Sequence, residues 1–161
     1  MLQVVPPTIF FTVRLRQGAY SDEDISQRHQ RNELYIFGFL TVVVGIAVLA
    51  VLDAPRIFIA LLASAALINV LCWLVNLFWK ISVHSASMGS CATLSTIFAP
   101  PFGAFMWLCA IVLSWARVRT RNHSPLQVVA GMALASLCVW GTLKIFGLIG
   151  EIEQRHSVLC P

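Results

Sequence analysis

The sequence predicts an all-α protein, a polytopic bundle of transmembrane helices. Three observations carry that expectation. Apolar residues make up 58% of the 161-residue chain and charged residues only 11%, more apolar surface than a water-soluble domain of this size can hide. Mean hydropathy is +0.82, so the solvent must be largely lipid. The charged residues gather in short stretches between long apolar runs, and about 20 apolar residues cross a bilayer. Four full spans plus a partial N-terminal helix are expected. With no internal repeat or low-complexity linker, they form one transmembrane domain over residues 1–161.

Leu2–Val13 is apolar but falls short of a span, and Pro6 and Pro7 interrupt it. No basic residue precedes it, so it does not read as a signal peptide. A partial helix is expected, lying along its neighbours or completed by a partner membrane subunit. Arg14–Glu33 is polar. Gly18 ends the first helix there, and Ser21-Asp22-Glu23-Asp24 caps a short amphipathic one. Tyr35–Leu52 is the first full span, closed by the tight turn Asp53-Ala54-Pro55-Arg56. Ile57–Trp79 is the second, with Trp73 and Trp79 suited to the membrane interface.

From Ser82 a helix rich in small residues follows: Ser85, Ala86, Ser87, Gly89, Ser90, Ala92 and Ser95. Such residues let helix backbones approach closely within lipid. Ala99-Pro100-Pro101 ends it. A further span runs from about Phe102 to Trp115, then a basic loop Arg117–His123, then a last span from Pro125 to about Gly150. Glu151 and Glu153 lie in the tail.

The formal charge of +4 is modest, and no basic face interleaved with aromatics exists, which argues against nucleic acid as a partner. Cys72, Cys91, Cys109, Cys138 and Cys160 lack CxxC spacing and lie mostly in apolar runs. They read as small buried hydrophobes, neither disulfides nor a metal site. Alternating the helices puts Arg14, Arg16, Arg28, Arg31, Lys80, Arg117, Arg119 and Arg121 on one face. The other face has Arg56 and Arg155, with Lys144 near the last helix end. The positive-inside rule makes the first face cytoplasmic, in a multi-pass plasma-membrane protein.

Two stretches carry the chemistry: Lys80-Ile81-Ser82-Val83-His84, and Arg117 through His123 to Gln127. Each sets a histidine beside a cation or hydroxyl at the rim of an apolar helix, where ionisable groups suggest a function. Two histidines with arginines form a kit for cleaving a phosphate ester by way of a phosphohistidine. Plainer roles stand beside these. Ser82 suits an N-cap, Arg119 and Arg121 suit lipid headgroups, and Arg31 suits a snorkelling anchor. Ser124-Pro125-Leu126-Gln127 reads as a capping box, with Gln127 also within reach of His123.

Together these stretches resemble the type 2 phosphatidic acid phosphatase family of membrane lipid phosphatases. Its signatures are Lys-x6-Arg-Pro, Pro-Ser-Gly-His and Ser-Arg-x5-His-x3-Asp. Ile81-Ser82-Val83-His84 sits where the second falls. Ala116-Arg117, then His123, then Gln127 follow the spacing of the third, and Arg31-Asn32 stands at Arg-Pro of the first. The Gly-x-x-Ser-Asp-x-Asp pattern and the Val-Val-Ala-Gly run after Gln127 resemble small prokaryotic members.

The resemblance implies a phosphatase acting on lipid phosphate or polyprenyl (di)phosphate. His123 would attack phosphorus and His84 would protonate the leaving oxygen. Arg117, Arg31, Lys80 and Ser82 would hold the phosphoryl oxygens, and Gln127 would orient His123. No metal or cofactor is implied; membrane lipids and the lipid phosphate are the expected partners. The chain departs from the signatures at Asp24, where a lysine belongs, and at Gln127, where an aspartate belongs. Losing the orienting carboxylate in a comparable histidine relay lowers the rate about ten-thousand-fold. The alternative is a catalytically inactive helical subunit of a larger membrane complex, for example respiratory or photosynthetic. Its partner would meet the N-terminal partial helix.

Overall fold

The computed structural model describes residues 5–20, 25 and 27–151, with Arg28 described by its backbone alone. The expected cap at Ser21-Asp22-Glu23-Asp24 and the tail residues Glu153, Arg155, His156 and Cys160 lie outside the described residues. All regular structure among the described residues is helical. It comprises α1 (Val5–Arg16), a 3-10 turn (Arg28–Arg31), α2 (Asn32–Val51), α3 (Arg56–Phe78), α4 (Val83–Phe98), α5 (Pro100–Arg119) and α6 (Pro125–Ile145). Four helical segments are long and apolar enough to cross a membrane: His29–Val51, Arg56–Phe78, Pro100–Arg119 and Pro125–Ile145. The protein is a multi-pass membrane protein built as a helical bundle.

Helix ends differ from the sequence expectation for identifiable reasons. Pro6 and Pro7 begin α1 rather than interrupt it, because the first turn has no use for their missing N–H groups. At 12 residues, α1 spans about 18 Å and remains a partial helix. Pro100 and Pro101 likewise occupy the first turn of α5. That helix runs to Arg119, not Trp115, so Arg117 lies in a helix rather than a loop. Arg117 and Arg119 occupy its last turn, where cations complement the exposed carbonyls. The last span closes at Ile145, not Gly150, because Gly147 adopts φ +74° and its N–H turns back to the Lys144 carbonyl.

Contacts divide the chain into two compact units, Met1–Lys80 and Ile81–Pro161. In the first, α2 and α3 pair antiparallel. Trp73 Nε1 donates to Asn32 Oδ1 at 3.2 Å, and a Cβ on Gly38 would lie 3.0 Å from Asn69 Nδ2. Phe10 of α1 stacks on Phe37 of α2 with ring centroids 4.3 Å apart. Arg14 forks onto Glu33 through Nε and Nη2, at 2.9 and 2.8 Å.

In the second unit α4 packs against both α5 and α6. Its small residues make this possible, with Ser85, Ala86, Gly89 and Ala92 buried. On α6, a Cβ at Gly131 would fall 2.6 Å from the Ser82 carbonyl oxygen, so only glycine fits that seam. On α5, a Cβ at Gly103 would fall 2.5 Å from Thr96 Cα. Hydroxyls bridge the helices: Thr93 Oγ1 to Ser136 Oγ at 2.8 Å, and Trp107 Nε1 to Thr96 Oγ1 at 3.2 Å. Each such bond contributes about 0.6 kcal/mol in a membrane.

Candidate functional site

The residues of interest gather where α4 and α6 begin. Ser82 caps α4, its Oγ accepting the Ser85 N–H at 3.4 Å. The same oxygen lies 3.0 Å from Ser85 Oγ, and Ser114 Oγ of α5 donates to Ser85 Oγ at 3.4 Å. Ser82 is 0% exposed. Its backbone N–H donates to the Gln127 carbonyl at 3.4 Å, joining the start of α4 to the first turn of α6. The hydroxyl and the backbone N–H of Ser82, a residue expected to hold phosphate, are therefore both engaged inside the fold.

After α5 the chain reverses over residues 120–124, before α6 begins at Pro125. Arg121 takes φ +58°, a left-handed conformation that costs a non-glycine residue about 1 kcal/mol. Its N–H bonds the Val118 carbonyl at 3.0 Å, and the His123 N–H reaches the Arg117 carbonyl at 3.3 Å. The turn thereby draws His123 beneath the end of α5, with 6% of its surface exposed. Arg117 itself is half-buried.

The capping box at α6 fixes the histidine. Ser124 Oγ accepts the Gln127 N–H at 3.3 Å, and Gln127 Oε1 accepts the Ser124 N–H at 3.1 Å. Gln127 Oε1 also lies 3.1 Å from His123 Nδ1. A backbone N–H can only donate, so the amide atom facing it is the oxygen. Two donors must then converge on that oxygen, and Nδ1 is one of them. In its neutral form His123 accordingly carries its proton on Nδ1 and its lone pair on Nε2.

His84 stands exposed in the first turn of α4, two residues after Ser82. Lys80 is half-buried at the close of the first unit. Arg31, also in the first unit, is 7% exposed, and its Nε donates to the Ile25 carbonyl at 2.9 Å. Asp24 lies outside the described residues. Hydrogen bonds thus bring Ser82, Arg117, His123 and Gln127 together. Ser85 and Ser114, which form the polar floor under Ser82, were missed from sequence. The available signal was Ser114, a lone hydroxyl inside an apolar run.

The chain matches no family model, no characterised protein and no solved structure. Its chemistry is therefore read from the geometry above. A buried imidazole whose Nδ1 is held by a neighbouring acceptor can act through Nε2 as a nucleophile toward an electrophilic phosphorus. Among the described residues, no three His, Cys, Asp or Glu side chains gather as they would to hold a metal ion.

Proposed function

We propose that the protein is a membrane-embedded phosphatase hydrolysing lipid phosphate or polyprenyl (di)phosphate through a phosphohistidine intermediate. The observation that supports this most is the 3.1 Å contact of His123 Nδ1 with Gln127 Oε1, which favours the Nδ1–H tautomer. It gives Nε2 the lone pair that an in-line attack on phosphorus needs. In the proposed cycle the Nε2–P bond forms as the scissile P–O bond breaks, the ester bond of a phosphate monoester or the anhydride bond of a diphosphate. His84, entering as imidazolium, gives its proton to the leaving oxygen. Water then attacks phosphorus with His84 as base, the P–N bond breaks, and inorganic phosphate leaves. Arg117 offsets charge developing on the phosphoryl oxygens. The chain sits in the plasma membrane, with the Arg117–His123 end toward the cytoplasm, the side that the clustered cations favour.

A second reading, a catalytically inactive helical subunit of a larger membrane complex, has its own support. Gln127 brings no negative charge to the imidazole, and Ser82 is engaged in capping. Along α1, Val5, Ile9 and Val13 are 44%, 58% and 45% exposed, an apolar stripe fit for a partner helix. Phosphate release from phosphatidate and polyprenyl diphosphate by purified protein, compared with His123→Ala, separates the two. Release that disappears in the variant supports the phosphatase; equal background from both supports the subunit.

A further inference from the structure

An open apolar groove of about 520 Å³ runs between α4 and α5, lined by Met88, Leu108, Cys109, Val112, Leu113 and Ala116. That volume falls within the range of about 300–1,000 Å³ typical of small-molecule sites. Along α5 the lining runs from Leu108 to Ala116, a rise of about 12 Å along the helix. Its far end is determined by the helix register. Ser85 meets Ser114 at 3.4 Å, and Thr96 closes on Gly103, so α4 and α5 run antiparallel. His84 lies one residue before Ser85 and Arg117 three after Ser114. The two therefore stand at the same level to within about 3 Å along the helix axes. Each also lies one turn beyond a lining residue on the same helix face, His84 beyond Met88 and Arg117 beyond Leu113. His84 and Arg117 thus stand level with each other, one turn past the residues that line the trough on their own helices.

We infer that this groove seats one hydrocarbon tail of a lipid phosphate, with the phosphate at the His84–Arg117 end. The charge arrangement favours this occupant over neutral lipid, and its second negative charge favours it over a singly charged phosphodiester. A neutral lipid gains nothing from Arg117, whereas a phosphate monoester at that level does. The inference builds on the phosphatase reading by specifying how its substrate is held, but binding is measured apart from turnover.

Cys109 provides the probe, since it lines the groove. In protein whose other four cysteines are replaced by alanine, Cys109 alkylation by an apolar maleimide is followed in nanodiscs. One set carries phosphatidate, one diacylglycerol, and one diacylglycerol with added inorganic phosphate. Phosphatidate is expected to slow labelling about fivefold relative to diacylglycerol, from one headgroup-facing cation. Inorganic phosphate alone should leave it unchanged, and Arg117→Gln should abolish the protection. Leu113→Trp, which fills the trough, should remove phosphatidate protection, while Ile111→Trp on the lipid-exposed face should not. Equal labelling in phosphatidate and diacylglycerol overturns the tail site, whatever the catalytic result. Protection without phosphate release would retain the tail site and remove the phosphatase.

Discussion

His123 Nδ1 and the Ser124 backbone N–H point at the same atom, Gln127 Oε1, each at 3.1 Å. A helix cap and a candidate nucleophile therefore share one acceptor. The cap holds the amide in place, and the amide holds the tautomer. A neutral amide can orient the ring as a carboxylate would, yet it leaves positive charge on a phosphorylated imidazole without a counter-charge.

Gln127→Glu is expected to keep the cap, since glutamate serves equally in a capping box. It also replaces a neutral acceptor with a charged one, a gain of about 1.5 kcal/mol for a hydrogen bond. Phosphate release should rise about tenfold. Steady-state kinetics on phosphatidate check this, and an unchanged or lower kcat removes Gln127 from the orienting role.

Ser124→Ala removes one half of the capping box and should lower stability by about 1 kcal/mol. In a chain of this size that corresponds to roughly 3 °C in Tm. The thermal midpoint in mild detergent measures it. Because Gln127 Oε1 still meets the Ser124 N–H, any phosphate release should fall less than in Gln127→Leu.

At Gly131 a Cβ would lie 2.6 Å from the Ser82 carbonyl oxygen, whereas at Gly141 nothing lies within 4 Å. Gly131→Ala should force α6 away from α4, destabilising the protein by about 1–3 kcal/mol. Gly141→Ala, on the same helix, should be neutral or stabilising by up to about 1 kcal/mol. Parallel thermal melts give the comparison, and equal midpoints for the two variants would contradict the backbone contact.

Tyr20, outside the spans, has its phenol pushed above its usual value of 10.0 by burial and then by the Glu33 charge, with Arg14 opposing. The neutral phenol is therefore the form that the fold prefers. Its contribution to stability is fully present below pH 10.0 and is lost as pH rises through the raised value. In Tyr35→Phe, whose one remaining tyrosine is Tyr20, phenolate absorbance should appear only above pH 10.0. Adding Glu33→Gln should move that titration downward.

Span positions were legible because bilayer thickness demands long apolar runs, and Tyr35–Leu52 and Ile57–Trp79 could be little else. Their ends were less legible. Arg117 and Arg119 look like loop residues in one dimension, but a helix C-terminus welcomes cations and extends through them. Pro100 and Pro101 were read as terminators; they also start the next helix. The Ser124–Gln127 cap was plain from four adjacent residues. That His123 shares its acceptor depends on a side-chain rotamer that spacing permits but does not dictate. The Ser85–Ser114 contact joins segments distant in sequence, so only the lone hydroxyl of Ser114 in its apolar run hinted at it.

The seam at Ser82 and Gly131 has a consequence for biogenesis. Of the helices in the second unit, α4 has the most hydroxyls and is not among the segments long and apolar enough to cross a membrane. Its hydroxyls find partners on α5 and α6, which emerge later from the ribosome. Membrane integration of α4 by the translocon must therefore wait for synthesis of the segments that follow it. A nascent chain halted before Pro125 would expose that polar face to lipid and be a ready target for quality-control proteolysis.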